Sequence, residues 1–133
     1  MSEDTREFFL LDMRHKPKGP RFGRPQMHRH DCPLMVWWGV NNSGYGNSLA
    51  DPWVGRYTAA KIKEHLNYYK PGEATLPIPC DVALRFSVPR PETFMGIVGS
   101  KWCDGPGPIV INHALIWDLL EPLAWIPGGP AHA

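Results

Sequence analysis

The sequence predicts an α+β fold: a small, mainly antiparallel sheet with two packed helices and long Pro/Gly-rich loops. Three observations carry this expectation. Apolar residues come in short runs of strand length, bounded by turn residues. Helical patterning is confined to two segments, one beginning near Thr58 and one near Asn112. Fifteen prolines and thirteen glycines punctuate the 133 residues, against an average of ~5% for proline. With 43% hydrophobic residues, a chain of this length buries roughly two-thirds of its unfolded surface. One domain spanning residues 1–133 is expected.

In chain order, Phe8 to Met13 of "REFFLLDM" reads as the first strand. Residues 14–33 follow as a long basic loop, with Pro and Gly at short intervals. In "LMVWWGV", alternation sends Leu34, Val36 and Trp38 one way and Met35 and Trp37 the other. Both faces are apolar, which predicts a central strand covered on both sides. "NNSGYGN" supplies residues that tolerate positive φ, so a tight reversal is expected near Asn41 to Gly44, with a return from Tyr45 to Leu49.

"GRYTAAKIKEHLNYYKPG" is the clearest helix. Thr58 is its N-cap, Ala59, Ile62, Leu66 and Tyr69 its apolar stripe, and Pro71-Gly72 its stop. Val82 to Val88 reads as an edge strand, and "TFMGIVGSKW" as a further strand. Ile109 to Ile111 reads as a short strand before a helix capped by Asn112 and ended by Pro122. That helix is apolar nearly all round, so it is either buried or meets a partner. Residues 123–133 are expected to form an apolar, loosely structured tail.

The formal charge of +1 excludes a strong whole-molecule field. Its distribution is uneven: Arg14 to His30 holds six basic residues, three histidines and no acid. Arg14, Lys16, Lys18, Arg21, Arg24 and Arg29, with Phe22 interleaved as a stacker, suit an acidic protein surface or nucleic-acid phosphates. The plainer alternative is a solvated loop. Three cysteines and a polar, acidic start point to a reduced, cytoplasmic chain without a disulfide framework. No apolar run approaches the ~20 residues of a membrane span.

Metal binding has weak candidates in His28, His30 and Cys32 of "HRHDC". A His-x-His pair shares one face of a strand, and zinc takes four N, S or O ligands. No CxxC or HxxxH pair accompanies them, and no cofactor is expected. A nucleophilic cysteine would need a histidine within hydrogen-bond reach, which leaves Cys80 with His65 or Cys103 with His113. No nucleophile elbow, phosphate loop or paired-carboxylate motif supports either. In "WWGVNNSGY", the two tryptophans point to opposite faces and cannot form one stacking platform, although Tyr45, beyond the turn, remains a candidate contact. A small-molecule or nucleotide site would draw on Asn42, Tyr45, Arg56 and Tyr57. At the C-terminal end, Trp117 and Trp125 are candidate anchors for a partner or a homodimer.

The order "EFFLLDMRH", "WWGVNNSGY", "VGRYTAAKIKEHLNYY" and "LPIPCDVA" resembles small accessory proteins encoded in tailed phages and prophages. The matching residues are Trp37, Trp38, Asn42, Gly44, Tyr45, Gly55, Arg56, Tyr57, Thr58 and Pro79, and the likeness covers roughly positions 7 to 85. The basic insertion and the Pro-rich C-terminal part depart from it. The resemblance implies a phage or prophage setting, and so a protein that binds a host, defence or phage macromolecule in the host-cell cytoplasm; the lack of catalytic motifs makes a non-catalytic role the expectation. That partner is a protein, or alternatively a nucleic acid. The basic loop and the apolar C-terminal surface would carry the contact. A small-molecule binder is the second reading and a metal- or cysteine-dependent enzyme the third.

Overall fold

The first strand, β1 (Glu7–Asp12), is the hub of the fold, and its alternation explains why. Phe8 and Leu10 point to one side, Phe9 and Leu11 to the other, and all four are fully buried. A strand with two apolar faces needs cover on both, and each face here carries its own core cluster. A computed structural model describes residues 5–13, 34–50, 53–89, 93–94, 97–98 and 108–127, and shows a five-stranded antiparallel sheet with several helices.

The strands β2 (Trp37–Trp38), β3 (Tyr45–Gly46) and β4 (Tyr57–Thr58) run in the order β3-β2-β1-β4. On its other edge β1 pairs along its length with β5 (Thr75–Pro79). The register matches faces. Leu11 sits opposite Trp37, Phe9 opposite Ile78 and Leu11 opposite Leu76, all in the first cluster. Phe8 sits opposite Tyr57, in the second. The Trp37–Trp38 strand lies between two neighbours, as its double apolar character requires, but is only two residues long.

The edge strand is β5 and not Val82 to Val88, which instead forms most of the helix α3 (Cys80–Arg85). Strand parity explains how β5 tolerates two prolines. Residues 77 and 79 share one parity, so both missing N–H donors fall on the edge away from β1. On that outer edge the Pro77 carbonyl accepts from Trp125 N at 2.9 Å. Pro79 then serves as the N-cap residue of α3, with Asp81 in the first turn and Arg85 in the last. Val88 joins Ile109 only as an isolated bridge, as Ile111 does with Leu34. The single strand expected in "TFMGIVGSKW" is an antiparallel pair, β6 (Thr93–Phe94) with β7 (Ile97–Val98).

The expected 59–69 helix covers the second face, but in two pieces, α1 (Ala59–Glu64) and α2 (Leu66–Tyr69). The Thr58 side chain accepts from Lys61 N at 3.2 Å, the capping bond expected of it. His65, at φ −133° and ψ 47°, breaks the helix. The break divides the apolar stripe: Ala59, Ile62 and Tyr69 are buried, while Leu66 turns partly outward. Lys70, left-handed at φ 45°, ends α2 just before Pro71-Gly72.

The first face is covered by α3 and by α4 (Ala114–Leu120), whose Trp117 and Leu120 enter the cluster. The cap of α4 is His113 rather than Asn112, with Nδ1 accepting from Leu115 N at 3.3 Å. Asn112 instead accepts from the Trp117 indole at 2.7 Å. A 3₁₀ turn, Glu121–Leu123, follows with Pro122 inside it. The beginning of the tail is tied down, because Trp125 stacks on Phe8 with centroids 4.8 Å apart and Ile126 packs on the first cluster. No helix among the described residues is long and apolar enough to cross a membrane.

Candidate functional sites

Two surfaces have the makings of a site. The first grows from the turn between β2 and β3. The chain reverses there because Asn41, Asn42 and Gly44 adopt positive φ of 54°, 63° and 75°. Asparagine and glycine are the residues that enter this region at least cost. Gly39 is needed for a different reason: a Cβ on it would lie 2.2 Å from the Ser43 carbonyl oxygen.

Side chains from α2 and β4 hold the reversal in place. The buried Tyr57 hydroxyl donates to the Gly39 carbonyl and accepts from Asn42 N, the latter at 2.9 Å. The Tyr69 hydroxyl donates to Asn42 Oδ1 at 3.0 Å. Burial raises both phenol pKa values, with the hydrogen bonds from and to Asn42 acting in the opposite direction. Both tyrosines are therefore neutral donors at physiological pH.

Around this lock lies a set of aromatic rings. Trp38 meets Tyr45 at 6.2 Å, Tyr68 at 5.6 Å and Tyr69 at 5.6 Å between centroids. Tyr69 also packs on Tyr57 at 5.6 Å and Tyr68 at 5.3 Å. Tyr45 and Tyr68 are 51% and 56% exposed, so the outer rings face solvent while Tyr57 and Tyr69 do not.

Of the four residues expected to share a small-molecule site, the structure joins Asn42 and Tyr57 directly and brings Tyr45 beside them through Trp38. Arg56 is on the other side of the sheet. Its guanidinium lies over the Phe9 ring at 5.1 Å and next to the Cys80 thiol. Sequence reasoning missed Tyr68, whose signal was the Tyr68-Tyr69 doublet at the end of the apolar stripe.

The second surface is on α4. Leu115, Leu119 and Leu123 are 58%, 54% and 46% exposed and recur every fourth residue, which aligns them on one side of the helix and the turn after it. The two expected tryptophan anchors lie elsewhere. Trp117 is 1% exposed in the core, and Trp125 is half-buried on Phe8. The leucine row was visible in "ALIWDLLEPL", but a helix apolar all round does not announce which side stays outside.

Cys80 is buried, and burial pushes its thiol up to about 11 despite the neighbouring Arg56. A thiol held neutral is a poor nucleophile. It sits in the first cluster, while the exposed His65 contacts Tyr69 of the second, at 6.3 Å between rings. Among the described residues no group of three or more His, Cys, Asp or Glu side chains converges to hold a metal. The basic loop with Arg14, Lys16, Lys18, Arg21, Phe22, Arg24 and Arg29, the metal candidates His28, His30 and Cys32, and Cys103 all lie outside the described residues.

No protein-family model matches the chain, and no curated protein or solved structure matches it at a significant level.

Proposed function

We propose that this is a non-catalytic binding protein that docks on another protein through the leucine row of α4 and the turn after it. The carrying observation is the exposure of Leu115, Leu119 and Leu123 beside Trp117 and Leu120, which are buried. Trp117 and Leu120 give the helix its hold on the core, and Leu115, Leu119 and Leu123 face out along one side. Asp118, exposed between them, disfavours a phosphate backbone at this face and favours a protein. The basic segment 14–33 would supply a second, electrostatic contact that speeds association. The neutral, buried Cys80 thiol supports the non-catalytic part of the reading. The resemblance of residues 7–85 to phage accessory proteins supports a host or defence protein as the partner, acting in the host cytoplasm.

The test places a photo-crosslinking amino acid at Leu119 and, as a control, at Arg85, which is exposed on α3. Crosslinking is performed in cells that produce the protein. A partner joined at position 119 and not at 85, and weakened at least about tenfold by Leu119→Asp, is the expected result; tenfold corresponds to ~1.4 kcal/mol. A captured partner that binds Leu119→Asp and Leu123→Asp as tightly as the parent would overturn the proposal. Capture of the chain's own second copy would redirect it to a homodimer.

A further inference from the structure

We infer that Trp38, Tyr45 and Tyr68 form a binding site for a neutral sugar ring. This goes beyond the leucine row and stands apart from it: Trp38 packs on the second core cluster, whereas α4 packs on the first.

The three rings come from three elements, β2, β3 and α2. Tyr45 and Tyr68 stand nearly perpendicular to Trp38, at 87° and 82°. Edge-to-face contact braces each tyrosine at its base while half of it stays exposed.

Asn41, Asn42 and Ser43 line the turn beside the rings, all exposed. A carboxamide offers both donors and an acceptor, which matches the mixed donor and acceptor character of vicinal hydroxyls. The Asn42 carboxamide is already oriented by the Tyr69 hydroxyl. The main chain under it is fixed by Tyr57 and by the positive-φ residues. Such pre-ordering lowers the entropy cost of binding.

Charge selects the ligand class. Residues 37–47 contain no ionisable acid or base other than Tyr45. Of the basic groups on the neighbouring helices, Lys61 is held over the Tyr57 ring at 5.6 Å and His65 packs against the Tyr69 ring at 6.3 Å. A phosphate would find no guanidinium or ammonium on the turn. A pyranose presents apolar C–H faces for the rings and neutral hydroxyls for the carboxamides. An apolar wall with a few placed polar groups is the usual composition of small-ligand sites.

The experiment titrates the full chain with maltotriose, cellotriose and chitotriose, and separately with AMP and a thymidine oligonucleotide. It follows the tryptophan indole N–H signals by NMR. At least one oligosaccharide should shift the Trp38 signal. Tyr45→Ala and Tyr68→Ala should each weaken binding about tenfold, within the range for loss of one stacking ring, and Tyr45→Phe should retain it. Unchanged melting temperatures would show that the alanine variants remain folded. Three results would overturn the inference: no oligosaccharide shift at about 10 mM, enough to saturate a Kd of ~1 mM; a shift with AMP or the oligonucleotide alone; or binding that both alanine variants leave intact. Leu119→Asp should leave sugar binding unchanged, so failure here and failure of the leucine row are read separately.

Discussion

At Tyr57 one hydroxyl serves two main-chain groups, the Gly39 carbonyl and the Asn42 N–H. Removing it leaves both without that partner in a part-buried setting. Tyr57→Phe should therefore cost about 1–3 kcal/mol, read by urea denaturation, while Tyr45→Ala, at a half-exposed ring, should stay within ~0.5 kcal/mol as other surface substitutions do. The same residues set a pH dependence. Burial raises the pKa of Tyr57 and of Tyr69, so folding favours their neutral forms. Their contribution to stability is complete below the unfolded value near 10. It is lost as pH rises through the higher folded values. Unfolding free energy should thus decline above about pH 10, and Tyr57→Phe should flatten part of that decline. An equal slope in the variant would remove Tyr57 from the account. Neither interaction was legible in the sequence. The turn itself was, because Asn and Gly at positive φ are a local rule, but the tyrosine that locks it lies 15 to 18 residues further along the chain.

At the scale of elements, legibility follows how local the deciding interaction is. Thr58 caps α1 and Lys70, Pro71 and Gly72 end α2, all within a turn of the residues they act on. Thr58→Ala should destabilise by about 1 kcal/mol, the usual cost of losing a capping hydroxyl; a thermal or urea measurement that finds no loss would show the cap bond to be idle. The break at His65 was not legible, since Ala59, Ile62, Leu66 and Tyr69 form an unbroken stripe on paper. Beyond the break, Tyr69 reaches both the second cluster and Asn42, partners distant in sequence. The error at Val82 to Val88 has a similar origin. Val and Phe suggest a strand, but Ala83, Leu84 and Arg85 favour a helix once β1 has been paired by residues 75–79. The choice between these readings rests on five register pairs distant in sequence, not on the segment's own composition. The leucine row of α4 shows the same limit, because its outward side is defined only by which residues, Trp117 and Leu120, the core takes in.

At the scale of the whole molecule, β1 is shared by two cores. Phe8 and Leu10 belong to one, Phe9 and Leu11 to the other, on a single six-residue strand. Neither layer can lose its packing without loosening the strand that supports the other. Truncating a buried phenylalanine costs about 3–5 kcal/mol, against a typical domain stability of 5–15 kcal/mol. Phe8→Ala and Phe9→Ala should each remove a large part of the total, although they sit on opposite faces. The sharper expectation concerns cooperativity. Trp38 and Trp125 report on the second face, Trp37 and Trp117 on the first. If β1 couples the layers, tryptophan fluorescence and far-UV circular dichroism should give one coincident urea transition, in Phe8→Ala as in the parent chain. Two separated transitions in Phe8→Ala, with the α1–α2 layer melting first, would show that the faces fold independently and that the aromatic site rests on a separable part of the protein.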